Sequence, residues 1–183
     1  MTRQTILPLV LLSALLAVAA VPAAASLAVG ENAPLFTAQA SLGGNQLTYS
    51  LADELKKGPV VLYFYPAAFT KGCTLEAHDF AEAIDRFHAL GATVIGVSHD
   101  EIGVLKKFSV SDCRSKFPVA ADPDRKIIEA YDAALPGHET YANRTSYVIA
   151  PDGTILYVYT DMNPSRHVEN TLKAIEAWKA KRK

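Results

Sequence analysis

Pro59-Val60-Val61-Leu62-Tyr63-Phe64-Tyr65-Pro66-Ala67-Ala68-Phe69-Thr70-Lys71-Gly72-Cys73 is the stretch that decides how this chain folds. Residues 59 to 65 form an unbroken run of β-branched, aromatic and other apolar residues. No polar residue alternates with them, so the run suits a strand covered on both faces. Beyond it, Cys73, Ala77, Phe80, Ile84 and Phe87 recur at spacings of four and three, the inward stripe of an amphipathic helix. Glu76, Asp79, Glu82 and Arg86 fall off that stripe, and Gly91 stops the helix. A buried strand running straight into a long helix opens an α/β fold.

The same reading extends in both directions. Leu35 to Ala40 and Gln46 to Tyr49 are short strands joined through Gly43-Gly44-Asn45. Thr93 to Val97 is a second buried strand, Glu101 to Phe108 a helix, Val119 to Ala121 a short strand and Asp124 to Tyr131 a short helix. Thr145 to Ala150 and Thr154 to Thr160 flank Pro151-Asp152-Gly153, a hairpin signal. Asn163 and Pro164 supply the cap and first position of a last helix with the stripe Val168, Leu172, Ile175 and Trp178. Lys179, Lys181, Arg182 and Lys183 lie at its negative end. The order of elements predicts an α/β domain with a mixed sheet.

The 183 residues carry 18 Lys plus Arg and 19 Asp plus Glu, a formal net charge of −1. No basic excess exists to hold nucleic acid. Half of the residues are hydrophobic, which excludes a disordered chain, and two cysteines exclude a disulfide-stapled mini-fold or a four-thiolate zinc site. Between Arg3 and Glu31 no residue is charged. Ile6 to Ala20 is nearly continuous Leu, Val and Ala, and Ala23 and Ala25 form a small-residue cleavage site. Those are the parts of a secretory signal peptide over residues 1–25. An uncleaved anchor is the competing reading, weakened by Pro8 and Pro22. The expectation is one domain over residues 26–183, exported to the periplasm or secreted. After cleavage it has no stable membrane association, and it lies where disulfides persist.

Cys73 carries the chemistry. With Thr70 as N-cap, Lys71, Gly72 and Cys73 are the first three helical positions. Position three of a capping box is ordinarily Glu, an anion beside free backbone N–H groups. A helix N-terminus therefore favours the thiolate over the thiol at Cys73. Ligand sites in open α/β sheets also lie at the carboxyl ends of strands. Against this stands the reading of Cys73 as a small, inert apolar side chain on the inner stripe.

Pro66-Ala-Ala-Phe-Thr70-Lys-Gly-Cys73 matches the Pro-x-x-x-Thr-x-x-Cys signature of peroxiredoxins. The Phe64-Tyr65-Pro66 lead-in and Cys73-Thr74-x-Glu76 ending resemble the Q-type, bacterioferritin comigratory protein-like subfamily. The similarity also takes in Pro118, Asp122-Pro123-Asp124 and Arg144-Thr145-Ser146-Tyr147, and so extends over nearly the whole chain after residue 25. The resemblance implies a thioredoxin-like three-layer sandwich and a peroxidase of hydrogen peroxide and organic hydroperoxides that uses no metal, haem or flavin. It implies a peroxidatic Cys73 that becomes a sulfenic acid. Thr70 would orient the peroxide, Pro66 would shield the thiolate, and Arg144 would lie against the sulfur. Glu76 would have a structural role beside Arg144. Read without the resemblance, Arg144 is an edge charge ahead of a strand.

The second cysteine leaves more open. Q-type members often carry a resolving Cys five positions after the first, and here that position is His78. Cys113, in Ser109-Val-Ser-Asp-Cys113-Arg-Ser-Lys-Phe-Pro118, takes the resolving role by resemblance, closing an intramolecular disulfide. Bridging needs Cα atoms within about 7 Å, so the turn from Thr70 to Glu76 is expected to unwind and the Ser109–Lys116 loop to move. A buried spectator, or a constitutive disulfide with Cys73, are the alternatives. The reductant implied is a thioredoxin-like dithiol protein, and the quaternary expectation a monomer or weak homodimer.

His99-Asp100 reads as loop polarity, and His138 and His167 have no ligand-like spacing with it. Asp122 and Asp124 read as a turn with a helix cap, and no phosphate loop or dinucleotide fingerprint is present. Two other functions compete with the peroxidase. A disulfide oxidoreductase lacks its second Cys in Cys73-Thr-Leu-Glu76, and an exported non-catalytic binding protein on the same fold would leave Cys73 inert.

Overall fold

Alternation along Val60–Phe64 builds the two-sided core. In the computed structural model, which describes residues 26–182, Val61, Tyr63 and Tyr65 point into one apolar cluster and Val60, Leu62 and Phe64 into another. All are buried, because this strand lies in the middle of a sheet with helices on both faces.

The elements in chain order are β1 (Thr37–Leu42), β2 (Asn45–Ser50), α1 (Leu51–Leu55), β3 (Val60–Phe64), α2 (Lys71–Ala89), β4 (Thr93–Ser98), α3 (Ile102–Ser111) and β5 (Val119–Ala121). They continue with α4 (Lys126–Ala130), β6 (Ala134–Leu135), β7 (His138–Ala142), β8 (Thr145–Ile149), β9 (Ile155–Thr160), a 3₁₀ turn (Pro164–Arg166) and α5 (His167–Ala180). The central sheet runs β2-β1-β5-β4-β3-β8-β9. β3 pairs parallel with β4, and β4 with β5, while β8 lies antiparallel to β3 and β9 antiparallel to β8. The sheet is therefore mixed, as expected.

Side chains from α2, α3 and α5 fill the first cluster, with Phe80 stacked on Tyr63 at a centroid distance of 4.4 Å. Gly96 on β4 makes that possible, since a Cβ there would lie 2.7 Å from the Tyr63 ring. The second cluster packs Leu51 and Leu55 of α1 and Ile127 and Ile128 of α4 under the other face. Two helical layers thus enclose one sheet.

The sequence reading differs from this in three places. α1 and the small β6–β7 hairpin are additional. Ser50 caps α1 by accepting from the Asp53 N–H, and Gly137, in the left-handed region, closes the hairpin. Asn163 and Pro164 open the 3₁₀ turn rather than α5: the Asn163 side chain accepts from the Ser165 N–H, and the α-helix starts at His167. The expected signal segment, residues 1–25, lies outside the described residues. Among those residues no helix is long and apolar enough to cross a membrane.

Candidate active site

The active-site loop is the link between β3 and α2. Phe69 adopts φ 64°, a region that a bulky side chain seldom occupies, and this sharp turn drops the chain into α2 at Lys71. Two polar side chains after β4 brace the loop. Asp100 accepts from the Ala68 N–H and the Ser98 hydroxyl, both at 2.8 Å, and the His99 ring bonds the Pro66 carbonyl at 3.0 Å. His99-Asp100 is thus more than loop polarity: both residues hold the segment ahead of Cys73.

Thr70 occupies the cap position with extended backbone, as expected, yet its side chain does not cap. Its hydroxyl donates to the Ala67 carbonyl at 3.0 Å. That bond closes the loop on itself and leaves the hydroxyl lone pairs as acceptors. Thr70 is exposed and Pro66 half-buried.

Cys73 sits in the first turn of α2 and is buried. It lies on the inner stripe and also faces a charge. Arg144, in the turn before β8, is 3% exposed and donates from Nη2 to the Cys73 sulfur at 3.5 Å. The edge-charge reading of Arg144 is therefore overturned. Its Nη1 donates to Glu76 Oε2, and its Nε donates to the Met162 carbonyl at 3.0 Å. Three faces of one rigid fork are occupied, a geometry available to Arg and not to Lys.

Glu76 departs from the polarity pattern, yet it stands beside Arg144 as the resemblance implies. It lies off the apolar stripe in sequence but is fully buried beneath Arg144. Gly72 completes the arrangement: a Cβ there would lie 3.0 Å from Arg144 Nη2, so the guanidinium rests where a larger residue would stand.

The model of the AhpC/TSA family matches residues 29–158. The chain belongs to the AhpC/TSA family of peroxiredoxins. The chloroplastic peroxiredoxin Q of Gentiana triflora is 33% identical over 154 residues, covering 84% of this chain and 69% of that protein. The chloroplastic peroxiredoxin Q of Oryza sativa subsp. japonica is 32% identical, covering 81% and 66%. The matched part thus spans about two thirds of the plant relatives. Among solved structures, peroxidoxin BcpB from Mycobacterium tuberculosis superposes with a TM-score of 0.74 at 28% identity, covering 81% of this chain and 96% of that one. Enterococcus faecalis AhpC gives 0.75 at 26% identity, covering 83% and 92%.

In this peroxiredoxin the second cysteine is set back from the loop. Cys113 follows the end of α3, its N–H bonded to the Phe108 carbonyl, and it is buried. Cys73 and Cys113 are free thiols, so the constitutive disulfide considered from the sequence is absent. Burial, reinforced by Asp112, pushes the Cys113 thiol far up, so it is neutral in this state. The backbone beside it is strained, with Arg114 at φ 50° and Ser115 at φ 57°. The Tyr63 hydroxyl is buried with no hydrogen-bond partner among the described residues, and the Tyr65 ring is buried beside it, 5.5 Å between centroids. Burial raises both phenols well above their ordinary value, with Cys113 the next contributor and Cys73 a smaller one.

Burial opposes the charge on Arg144. The Glu76 carboxyl and the Cys73 sulfur outweigh it and hold the guanidinium above its ordinary value. An anion on the Cys73 sulfur would thus be met by a cation that does not titrate and by the N–H groups of the first turn, which have no intrahelical acceptors. Asp122 accepts from the Ile127 and Ile128 N–H groups at 3.0 and 2.8 Å and so caps α4.

Proposed function

We propose that this peroxiredoxin is a thiol-dependent peroxidase of hydrogen peroxide and organic hydroperoxides, acting through Cys73. The observation that carries the reading is the Arg144 guanidinium on the Cys73 sulfur at the first turn of α2. The thiolate attacks one peroxide oxygen in line. An S–O bond forms and the O–O bond breaks, with sulfur oxidised by two electrons and the peroxide reduced. Hydroxide or alkoxide departs and takes up a proton, leaving a sulfenic acid at Cys73. Arg144 and the first-turn N–H groups hold the negative charge as it spreads from sulfur to the departing oxygen. Thr70 orients the peroxide, and Pro66 keeps water from the sulfur.

Cys113 then attacks the sulfenic sulfur, giving a disulfide and water. Its burial and neutral state require the strained turn at residues 114–115 to open first, together with the start of α2. A thioredoxin-like dithiol protein reduces the disulfide. Residues 1–25 direct export, so the protein works in the periplasm or outside the cell, as a monomer or weak homodimer.

Stopped-flow peroxide consumption by wild type, Cys73→Ser and Cys113→Ser tests this reading. Activity is expected to vanish in Cys73→Ser, and a single turnover to survive in Cys113→Ser. Equal consumption by wild type and Cys73→Ser would overturn it.

A further inference from the structure

The turn that carries Cys113 is gripped from the side by the far end of the sheet. Gly43 and Gly44, both in the left-handed region, form the two-residue turn between β1 and β2. This turn lies against the last turns of α3 and the residues just after it. A Cβ at Gly43 would stand 3.2 Å from the Ser115 Cβ, and one at Gly44 3.2 Å from Val110 Cγ2. A larger residue at either place would press on its neighbour.

Ser109, buried on α3, ties the two segments together. Its hydroxyl donates to the Lys106 carbonyl at 3.0 Å, and a hydroxyl has only one hydrogen to give. The same oxygen accepts from the Gly44 N–H at 3.0 Å. Ser41 of β1 is also buried, with its hydroxyl 3.0 Å from that of Ser109, so in this pair Ser41 is the donor. The hydrogen and both lone pairs of the Ser109 hydroxyl are thus in use. The Ser109 carbonyl, in turn, accepts from the Ser115 N–H at 2.8 Å. The side chain of one residue holds the Gly43-Gly44 turn while its backbone holds the turn that follows Cys113.

We propose that Ser109 is a positioning residue for the second chemical step, a clamp that keeps Cys113 withdrawn until the Gly43-Gly44 turn lets go. This rests on the reading of Cys113 as the resolving thiol and names what governs its release. For Cys113 to leave the core, Ser115 must give up the Ser109 carbonyl and part from Gly43. The left-handed backbone at Arg114 and Ser115 favours that movement. The buried hydroxyl pair opposes it, because separating Ser41 from Ser109 leaves both short of a partner. Ser109 makes no contact with the Cys73 loop, so formation of the sulfenic acid does not depend on it.

Iodoacetamide alkylation of Cys113 in a Cys73→Ser background reads the opening without peroxide. Ser109→Ala and Ser41→Ala are compared with Ser50→Ala, which removes the cap of α1 and so weakens the fold elsewhere. Loss of the hydroxyl leaves a buried partner unsatisfied, so alkylation is expected to be about five- to tenfold faster in Ser109→Ala. Ser41→Ala is expected to accelerate it less, and Ser50→Ala not at all. With Cys73 restored, Ser109→Ala should leave the peroxide-dependent phase unchanged and speed the disulfide-forming phase by the same factor as alkylation. An unchanged alkylation rate in Ser109→Ala overturns the proposal. Equal acceleration by all three variants also overturns it, since that would be a general loss of stability.

Amide hydrogen exchange in the wild-type chain gives a reading that does not depend on a variant folding. If the clamp and the Cys113 turn open as one unit, the Gly44 and Ser115 amides exchange with the same protection. A Ser115 amide exchanging tenfold or more faster than Gly44 would show the turn opening with the clamp still shut, and would overturn the proposal. Failure of the resolving role shows separately: the disulfide-forming phase is then missing in wild type, while the alkylation rates still separate the variants.

Discussion

Gly72 and Arg144 interlock. The guanidinium lies over the one residue of the α2 first turn that has no Cβ, and an added methyl would meet Nη2 at 3.0 Å. That Nη2 is also the donor to the Cys73 sulfur. The fork cannot easily shift, because Nε is tied to the Met162 carbonyl and Nη1 to Glu76.

Gly72→Ala should therefore separate stability from reactivity. Alanine favours a helical position by up to about 1 kcal/mol over glycine. The methyl, however, pushes Nη2 off the sulfur. The expected outcome is an unchanged or slightly raised unfolding midpoint with a peroxide rate constant lowered about tenfold. Thermal unfolding and stopped-flow kinetics on one preparation check it.

Arg144→Lys keeps the charge and loses the fork. A lysine ammonium cannot satisfy the Met162 carbonyl, Glu76 and the sulfur together. Loss of one charge-stabilising donor typically lowers kcat by about 10²–10³, and a fall in kcat/KM for hydrogen peroxide of that size is expected. A rate within threefold of wild type would mean that positive charge alone suffices.

The buried acid and imidazole give a pH dependence of stability with a definite sign. Glu76 has a folded value raised to about 8 against roughly 4.3 unfolded. Between these values the folded chain holds a proton that the unfolded chain has lost, so stability falls as pH rises. His167 is lowered to about 4 against roughly 6.5 unfolded, and between those values stability rises with pH. The two oppose one another up to about pH 6.5, and Glu76 alone acts from there to about 8. Denaturant unfolding should show stability declining over that upper interval in wild type and a flatter profile in Glu76→Gln.

Much of the site was legible because local rules set it. The apolar run of Val60–Phe64, the stripe from Cys73 to Phe87 and the cap position of Thr70 all act within one or two helical turns. The resemblance places Glu76 beside Arg144, whereas amphipathic patterning, which sorts residues by polarity, misses its burial. Its spacing of three from Cys73 and four from Phe80 nevertheless placed it beside the inner stripe. His167 offered no sequence signal, since its partners come from α2, β8 and the end of β9, and only the folded sheet brings them together. Ser50 with Asp53, and Pro136-Gly137, were usable signals for α1 and the β6–β7 hairpin. Thr70 holds the cap position, but its hydroxyl donates to the Ala67 carbonyl instead of accepting from a helix N–H group.

Cys113 should act only after local opening. Its thiol is buried and neutral, so disulfide closure is expected to be slower than sulfenic acid formation. Tryptophan or tyrosine fluorescence after rapid mixing with peroxide should give two phases in wild type. The second phase should be independent of peroxide concentration and absent in Cys113→Ser.

The most direct test of the central claim is to trap the oxidised sulfur. Cys113→Ser protein treated with one equivalent of hydrogen peroxide in the presence of dimedone, then digested and analysed by mass spectrometry, reports which residue became a sulfenic acid. A stoichiometric adduct on Cys73 is the expected result. Peroxide consumed with Cys73 left as an unmodified thiol would contradict it.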